Sequence, residues 1–162
     1  MITVRAGVPE DAAELVRLRE LMFTAMQGGM VASGGSDAWK GLAESILRKE
    51  LGEGGTGRFG VFVVDDADRP GRLAACAVGT LEQRLPAPGH PDGLFGFIFN
   101  ICTDEAHRRR GYARACTEAL LDWFDERGAT RLDLHASVEG QQLYRSLGFH
   151  EHSVALSRTQ LR

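Results

Sequence analysis

The sequence predicts a mixed α/β (α+β) domain over residues 1–162, with elements in the order β-α-α-β-β-β-α-β-α-β. Three observations predict it. Two apolar segments, residues 59–64 and 73–81, flank a turn containing Arg69-Pro70-Gly71, the pattern of an antiparallel hairpin. A nearly unbroken apolar run over residues 94–103 has the mark of a strand buried on both faces. That run, an amphipathic helix over residues 110–127 and an alternating segment over residues 131–136 make a strand–helix–strand unit, so part of the sheet is expected to be parallel.

The elements follow in order. Residues 2–5 alternate apolar and polar side chains and predict a short first strand. Pro9-Glu10-Asp11 opens a helix, with proline in its first turn and two carboxylates at the positive end of its dipole. Leu15, Leu18, Met22 and Met26 recur at helical spacing as its buried stripe, and Gly28-Gly29 ends it. Residues 30–36 form a Gly/Ser-rich loop. Asp37 caps a second helix reaching about Leu51, with Leu42, Ile46 and Leu47 facing inward. Residues 52–57 are a glycine segment before the hairpin, and residues 83–93, with three prolines and two glycines, are a loop at the sheet edge. In the helix over residues 110–127, Ala113, Cys116, Leu120, Leu121 and Phe124 share one face, and Gly128 stops it. A short helix over residues 139–147 stops at Gly148, and residues 149–157 read as a closing strand.

Composition narrows the function. Hydrophobic residues make up 43% and charged residues 25%, the balance of an ordinary globular chain, and no apolar run approaches the ~20 residues of a membrane span. The N-terminus carries neither the basic nor the apolar region of a secretory signal. A net charge of −3 and the lack of a stacking-aromatic platform argue against a nucleic-acid partner. Cys76, Cys102 and Cys116 are odd in number, widely spaced and set in apolar stretches, which predicts free buried thiols in a reducing cytoplasm. The histidines show no metal-ligand spacing with the cysteines, so no metal site is expected.

The chemistry concentrates where the buried strand runs into the long helix, at Thr103-Asp104-Glu105-Ala106-His107-Arg108-Arg109-Arg110-Gly111-Tyr112-Ala113. Unpaired backbone N–H groups collect at a helix start, and the dipole contributes roughly 0.3–1 kcal/mol per anionic group. Gly111 lets the backbone approach a ligand, Ala113 adds little bulk, and three arginines add charge-assisted bonds. Arginines at a helix N-terminus oppose the dipole, so the arrangement makes sense around an anion such as a pyrophosphate. Neither Gly-Lys-Ser/Thr nor G-x-G-x-x-G is present, which removes the nucleotide-triphosphate and dinucleotide loops.

Arg108-Arg109-Arg110-Gly111-Tyr112-Ala113 resembles the (Gln/Arg)-x-x-Gly-x-(Gly/Ala) signature of the GNAT superfamily of N-acetyltransferases. Leu143-Tyr144-Arg145-Ser146-Leu147-Gly148-Phe149 resembles that family's C-terminal motif, and the element order agrees along the chain. The resemblance implies a mostly antiparallel sheet with about four helices and a splayed parallel strand pair that holds acetyl-CoA. It implies that the amides of Arg109, Arg110, Gly111, Tyr112 and Ala113 hold the pyrophosphate beside Arg108. Pantetheine would lie along Ile101, Cys102 and Thr103, with the Ile101 N–H polarising the acetyl carbonyl. Ser137 stands where relatives have an asparagine that bonds the pantetheine, and Gly140 stands where they have alanine. Tyr144 corresponds to the family's tyrosine, placed to hydrogen-bond the departing sulfur.

Direct transfer of an acetyl group from acetyl-CoA to a primary amine, small or peptidic, is the activity implied; relatives are often dimers. Relatives often carry an acid on the central strand, but Gly93-Leu94-Phe95-Gly96-Phe97 holds none, leaving Glu82, Asp104, Glu105 and His135 as candidate bases. Two alternatives stand beside this reading: a non-catalytic acyl-CoA sensor, and a cysteine nucleophile at Cys102. The acceptor is expected between the first two helices and the loop over residues 83–93.

Overall fold

The computed structural model describes residues 1–26 and 37–160. Five strands pair in sequence order: β1 (Arg5–Ala6), β2 (Phe59–Asp65), β3 (Leu73–Gln83), β4 (Leu94–Thr103) and β5 (Arg131–Leu134). The first four are mutually antiparallel and β4 runs parallel to β5, as the hairpin and the strand–helix–strand unit predict. Helices α1 (Ala12–Met26) and α2 (Ala38–Glu50) cover one face of the sheet, and α3 (Tyr112–Glu126) covers the other. A short α4 (Gln141–Ser146) follows β5.

Each face buries its own core. Leu15 and Leu18 of α1 and Leu47 of α2 pack on Val61, Val63, Cys76 and Val78. On the opposite face, Cys116, Leu120 and Phe124 of α3 pack on Val64, Ala75, Ala77 and Ile98. The helix comes this close because Gly60, Gly79 and Gly96 lie beneath it. A Cβ at each would stand 2.6–2.8 Å from Trp123, Phe124 or Leu132. All three cysteines are free and buried.

Four expectations need correction. The first strand lies at Arg5–Ala6, not residues 2–5: its ladder with β2 holds only Arg5 opposite Val63 and Ala6 opposite Phe62. In α1, Met26 is 54% exposed, so the buried stripe ends with the half-buried Met22. In α2 the inward face is Trp39, Ala43 and Leu47, while Leu42 and Ile46 face outward at 65% and 43% exposure. The helix turned toward the stripe that brings the largest ring inward. Residues 149–157 form no strand; they join no ladder among the described residues, and Val154 and Leu156 are 84% and 90% exposed. Alternation alone holds no ladder without a partner edge. The expected stop at Gly28-Gly29 and the loop over residues 30–36 lie outside the described residues.

Candidate functional site

The site begins where β4 ends. The Asp104 amide bonds to the Ala74 carbonyl (2.8 Å), and its carboxylate caps a tight turn over Glu105–His107 by accepting from the Ala106 amide (3.1 Å). Arg17 of α1 reaches the same carboxylate at 2.8 Å. Burial pushes Asp104 up, but the Ala106 amide and Arg17 outweigh it, so the carboxyl sits below its usual range and stays charged.

His107 then locks the loop from below. It is buried, its Nε2 lies 3.1 Å from Asp66 in the β2–β3 turn, and its ring stacks on Tyr112 at 5.9 Å. Its Nδ1 lies 3.4 Å from Arg110 Nη1. Sequence reasoning missed this role, because nothing in the chain order brings Asp66 near residue 107.

Above this anchor the backbone turns left-handed twice, at Arg109 (φ 63°) and Gly111 (φ 81°), before α3 starts. A turn of this kind gathers successive N–H groups into a concave nest suited to an anion. The first helical bond runs from Ala115 N–H to the Gly111 carbonyl. Among the described residues, the amides of residues 109–113 meet no acceptor. Arg108, Arg109 and Arg110 are exposed around this nest.

The parallel ladder joins Phe95–Ile98 of β4 to residues 131–134 and then stops. Among the described residues, β4 from Phe99 to Thr103 pairs with β3 alone, and its other edge carries no strand. A bulge marks the opening: Val78 pairs with Asn100 and Gly79 with Ile98, leaving Phe99 unpaired. Bulges re-aim side chains, and this one brings Phe99 against the α1 face. Periodicity gives no hint of it, although Asn100 interrupts an apolar run.

The open edge forms one wall of a cleft of about 440 Å³, lined by Ile101, Cys102, Thr103, Arg108, Ala113, Ser137 and Tyr144 among others. Thr103, Arg108, Ala113, Glu139 and Leu143 are shared with a hollow of about 610 Å³ that Arg109, Gly111 and Tyr112 also line. The expected site residues therefore meet in one continuous groove, except that Arg110 lines neither part and turns to His107.

Tyr144 sits in α4 with its ring edge-on to Phe149 at 6.2 Å. A Cβ at Gly140 would come within 2.9 Å of that ring, so glycine there makes room for it. Burial, and behind it the Cys102 thiol, pushes the phenol above its ordinary value, so it is protonated and can donate. The Ser137 hydroxyl accepts from the Gly140 amide (3.1 Å) and shapes the start of α4. Burial pushes the Cys102 thiol up to about 11, which disfavours a thiolate nucleophile. Of the four candidate bases, Glu82 pairs with Arg84 (2.7 Å), Asp104 is held by Arg17, and Glu105 is exposed outside the cleft; His135 lines it. Among the described residues no cluster could hold a metal ion, and no helix is long and apolar enough to cross a membrane.

A family model described as Acetyltransferase (GNAT) family matches residues 34–149. No curated protein matches the chain. Solved structures with the same fold include a predicted acetyltransferase from Clostridium acetobutylicum with acetyl-CoA, at TM-score 0.81 and 19% identity, covering 98% of this chain and 96% of that one. A GCN5-related N-acetyltransferase from Ralstonia eutropha JMP134 gives TM-score 0.75 and 24% identity, covering 98% and 99%. Glucosamine-6-phosphate N-acetyltransferase from Arabidopsis thaliana gives TM-score 0.72 and 18% identity, covering 98% of each chain.

Proposed function

The chain belongs to the acetyltransferase (GNAT) family, and we propose that it transfers an acetyl group from acetyl-CoA to a primary amine by direct attack with both substrates bound. The observation that carries this is the groove itself: an open strand edge over residues 99–103 runs without a break into a nest of free amides at residues 109–113. Bound acetyl-CoA would supply an activated thioester. The nest and Arg108 would hold its diphosphate, and the Ile101–Thr103 edge would bond its pantetheine amides as an added strand would. Cys102 would lie against that arm, and Ser137 would face it from the start of α4.

Tyr144 would donate a hydrogen bond to the departing sulfur. With reference values, proton transfer from a phenol near 10 to a thiolate near 8.5 is uphill by roughly 2 kcal/mol. Burial of Tyr144 adds to that gap, so it completes the transfer late and acts mainly as a donor. A lysine-like amine loses about 4–5 kcal/mol of reactivity at pH 7 to its protonated population. His135, at the cleft, would accept that proton directly or through water. A cytoplasmic location fits the three free thiols.

The test is a pair of measurements on the whole chain. Calorimetry should show coenzyme A binding, and an assay for free coenzyme A should show amine-dependent release. Binding without release across a broad amine panel would favour the sensor reading. Absence of binding would defeat the acyltransferase reading outright.

A further inference from the structure

Arg17 and Arg19 leave α1 two residues apart and meet opposite surroundings. Arg17 forks onto Glu14 at 2.8 and 2.9 Å and reaches Asp104 at 2.8 Å. Arg19 is half-buried and meets no carboxylate among the described residues. Residues 27–36 and 161–162 contain neither an Asp nor a Glu side chain.

The Arg19 guanidinium lies against two aromatic rings. Its central carbon lies 4.6 Å from the Phe23 ring centre and 5.6 Å from that of Phe99. The rings supply no acceptor for its five N–H donors. One of these approaches Asn100 Oδ1 at 3.5 Å. Among the described residues no buried side-chain nitrogen or oxygen lacks a partner, so each Arg19 nitrogen without a bond keeps some contact with solvent. Burial pushes its pKa down, with only Cys76 opposing, as expected for a charge desolvated without a counter-ion.

The location borders the cleft described above: Arg19 stands behind Phe99 and Asn100, which it touches and which line the cleft. They precede Ile101 by two residues and one, so roughly 3–7 Å of strand separates them from the proposed acetyl position.

We propose that Arg19 is the receptor for an anionic group on the acceptor, so that the amine acetylated here carries a carboxylate or a phosphate a few bonds from its nitrogen. This rests on the acyl-transfer reading. The anion pairs with the guanidinium donors while Phe23 and Phe99 pack against the group, which fixes the distance from charge to amine. A polycationic amine brings its own charge against Arg19 and is disfavoured.

The experiment compares matched amines at saturating acetyl-CoA: ethanolamine with O-phosphoethanolamine, and alaninamide with alanine and β-alanine. The expected result is a kcat/KM at least about 10-fold higher for an anionic member. The phosphate and carboxylate arms show which source of the anion is used. Arg19→Gln should lower the anionic-to-neutral ratio by roughly 10- to 100-fold. Arg19→Lys should restore part of it, keeping the charge and losing the fork. Should the glutamine variant not fold, the lysine variant and the wild-type preference decide the matter. A wild-type preference for the neutral member of both pairs, or a ratio unchanged in the Arg19 variants, overturns this inference and leaves acyl transfer standing. Absence of coenzyme A binding overturns both.

Discussion

The two walls of the cleft are built from different materials. The wall proposed to bind the cofactor is mainly backbone: the open edge of β4 over residues 99–103 and the left-handed turns at Arg109 and Gly111. The wall where we place the acceptor is side chains from distant segments: Phe99 and Asn100 at the bulge, backed by Arg19 and Phe23 of α1. Recognition by backbone needs only a few residues of permissive size at fixed spacing, and such a wall leaves a short signature in the chain. Recognition by side chains depends on tertiary contact between residues some eighty positions apart, and it leaves none.

The largest effect should come from the one side chain that the cofactor wall contributes to chemistry. Tyr144→Phe keeps the ring against Phe149 and removes the donor; kcat should fall ~10²–10⁴-fold with coenzyme A affinity nearly kept. Coenzyme A release under saturating acetyl-CoA measures it, and a change within a few-fold would remove Tyr144 from the mechanism. Next is the backbone. A Cβ at Gly111 would stand 3.5 Å from Ile2, an ordinary contact, so Gly111→Ala acts through the left-handed φ alone. At about 1–2 kcal/mol the loop should relax and coenzyme A affinity drop roughly 5- to 30-fold by calorimetry. Were affinity unchanged, the amide nest would not be the binding element.

Between them lies a subtler variant. Gly140→Ala puts a methyl 2.9 Å from the Tyr144 ring and 3.2 Å from Ser137 Oγ. An off-rotamer ring costs about 0.5–1.5 kcal/mol, so kcat should fall roughly 2- to 10-fold while coenzyme A affinity holds. Equal loss in both quantities would mean that α4 itself had moved.

The same contrast explains how much could be read before the fold was known. The strand over residues 94–103, the hairpin, α3 and both motifs were legible because each rests on local period, a turn or fixed spacing. The Tyr144 and nest positions followed from motif spacing and lie in the same groove. What failed was whatever needed a partner. In α2 two stripes were available, Leu42/Ile46 and Trp39/Ala43/Leu47, and only packing against the sheet chose between them. The closing strand expected over residues 149–157 finds no partner edge among the described residues. Arg19, Asn100 and the Asp66–His107 anchor carry no motif, although a lone asparagine inside an apolar strand was a signal.

The smallest expected effect concerns the tie between the two walls. Arg17 joins α1 to Asp104 at the root of the cofactor loop, and Glu14 holds Arg17 in place while accepting from the Leu73 amide at 2.9 Å. Burial pushes Glu14 up, but Arg17 and the Leu73 amide outweigh it, and its folded value lies below the ordinary one. A lowered value means that folding favours the carboxylate. The stabilisation is therefore full above the unfolded value near 4.3 and is lost as pH falls through the folded one. Glu14→Gln removes the charge and keeps an acceptor for Leu73, so at pH 7 it should cost about 0.5–1 kcal/mol, or ~1–4 °C in melting temperature. The gap between wild type and variant should close below about pH 4. A gap that persists at pH 3 would mean that Glu14 stabilises by shape instead of charge, and that the walls are joined by packing and not by this ion pair.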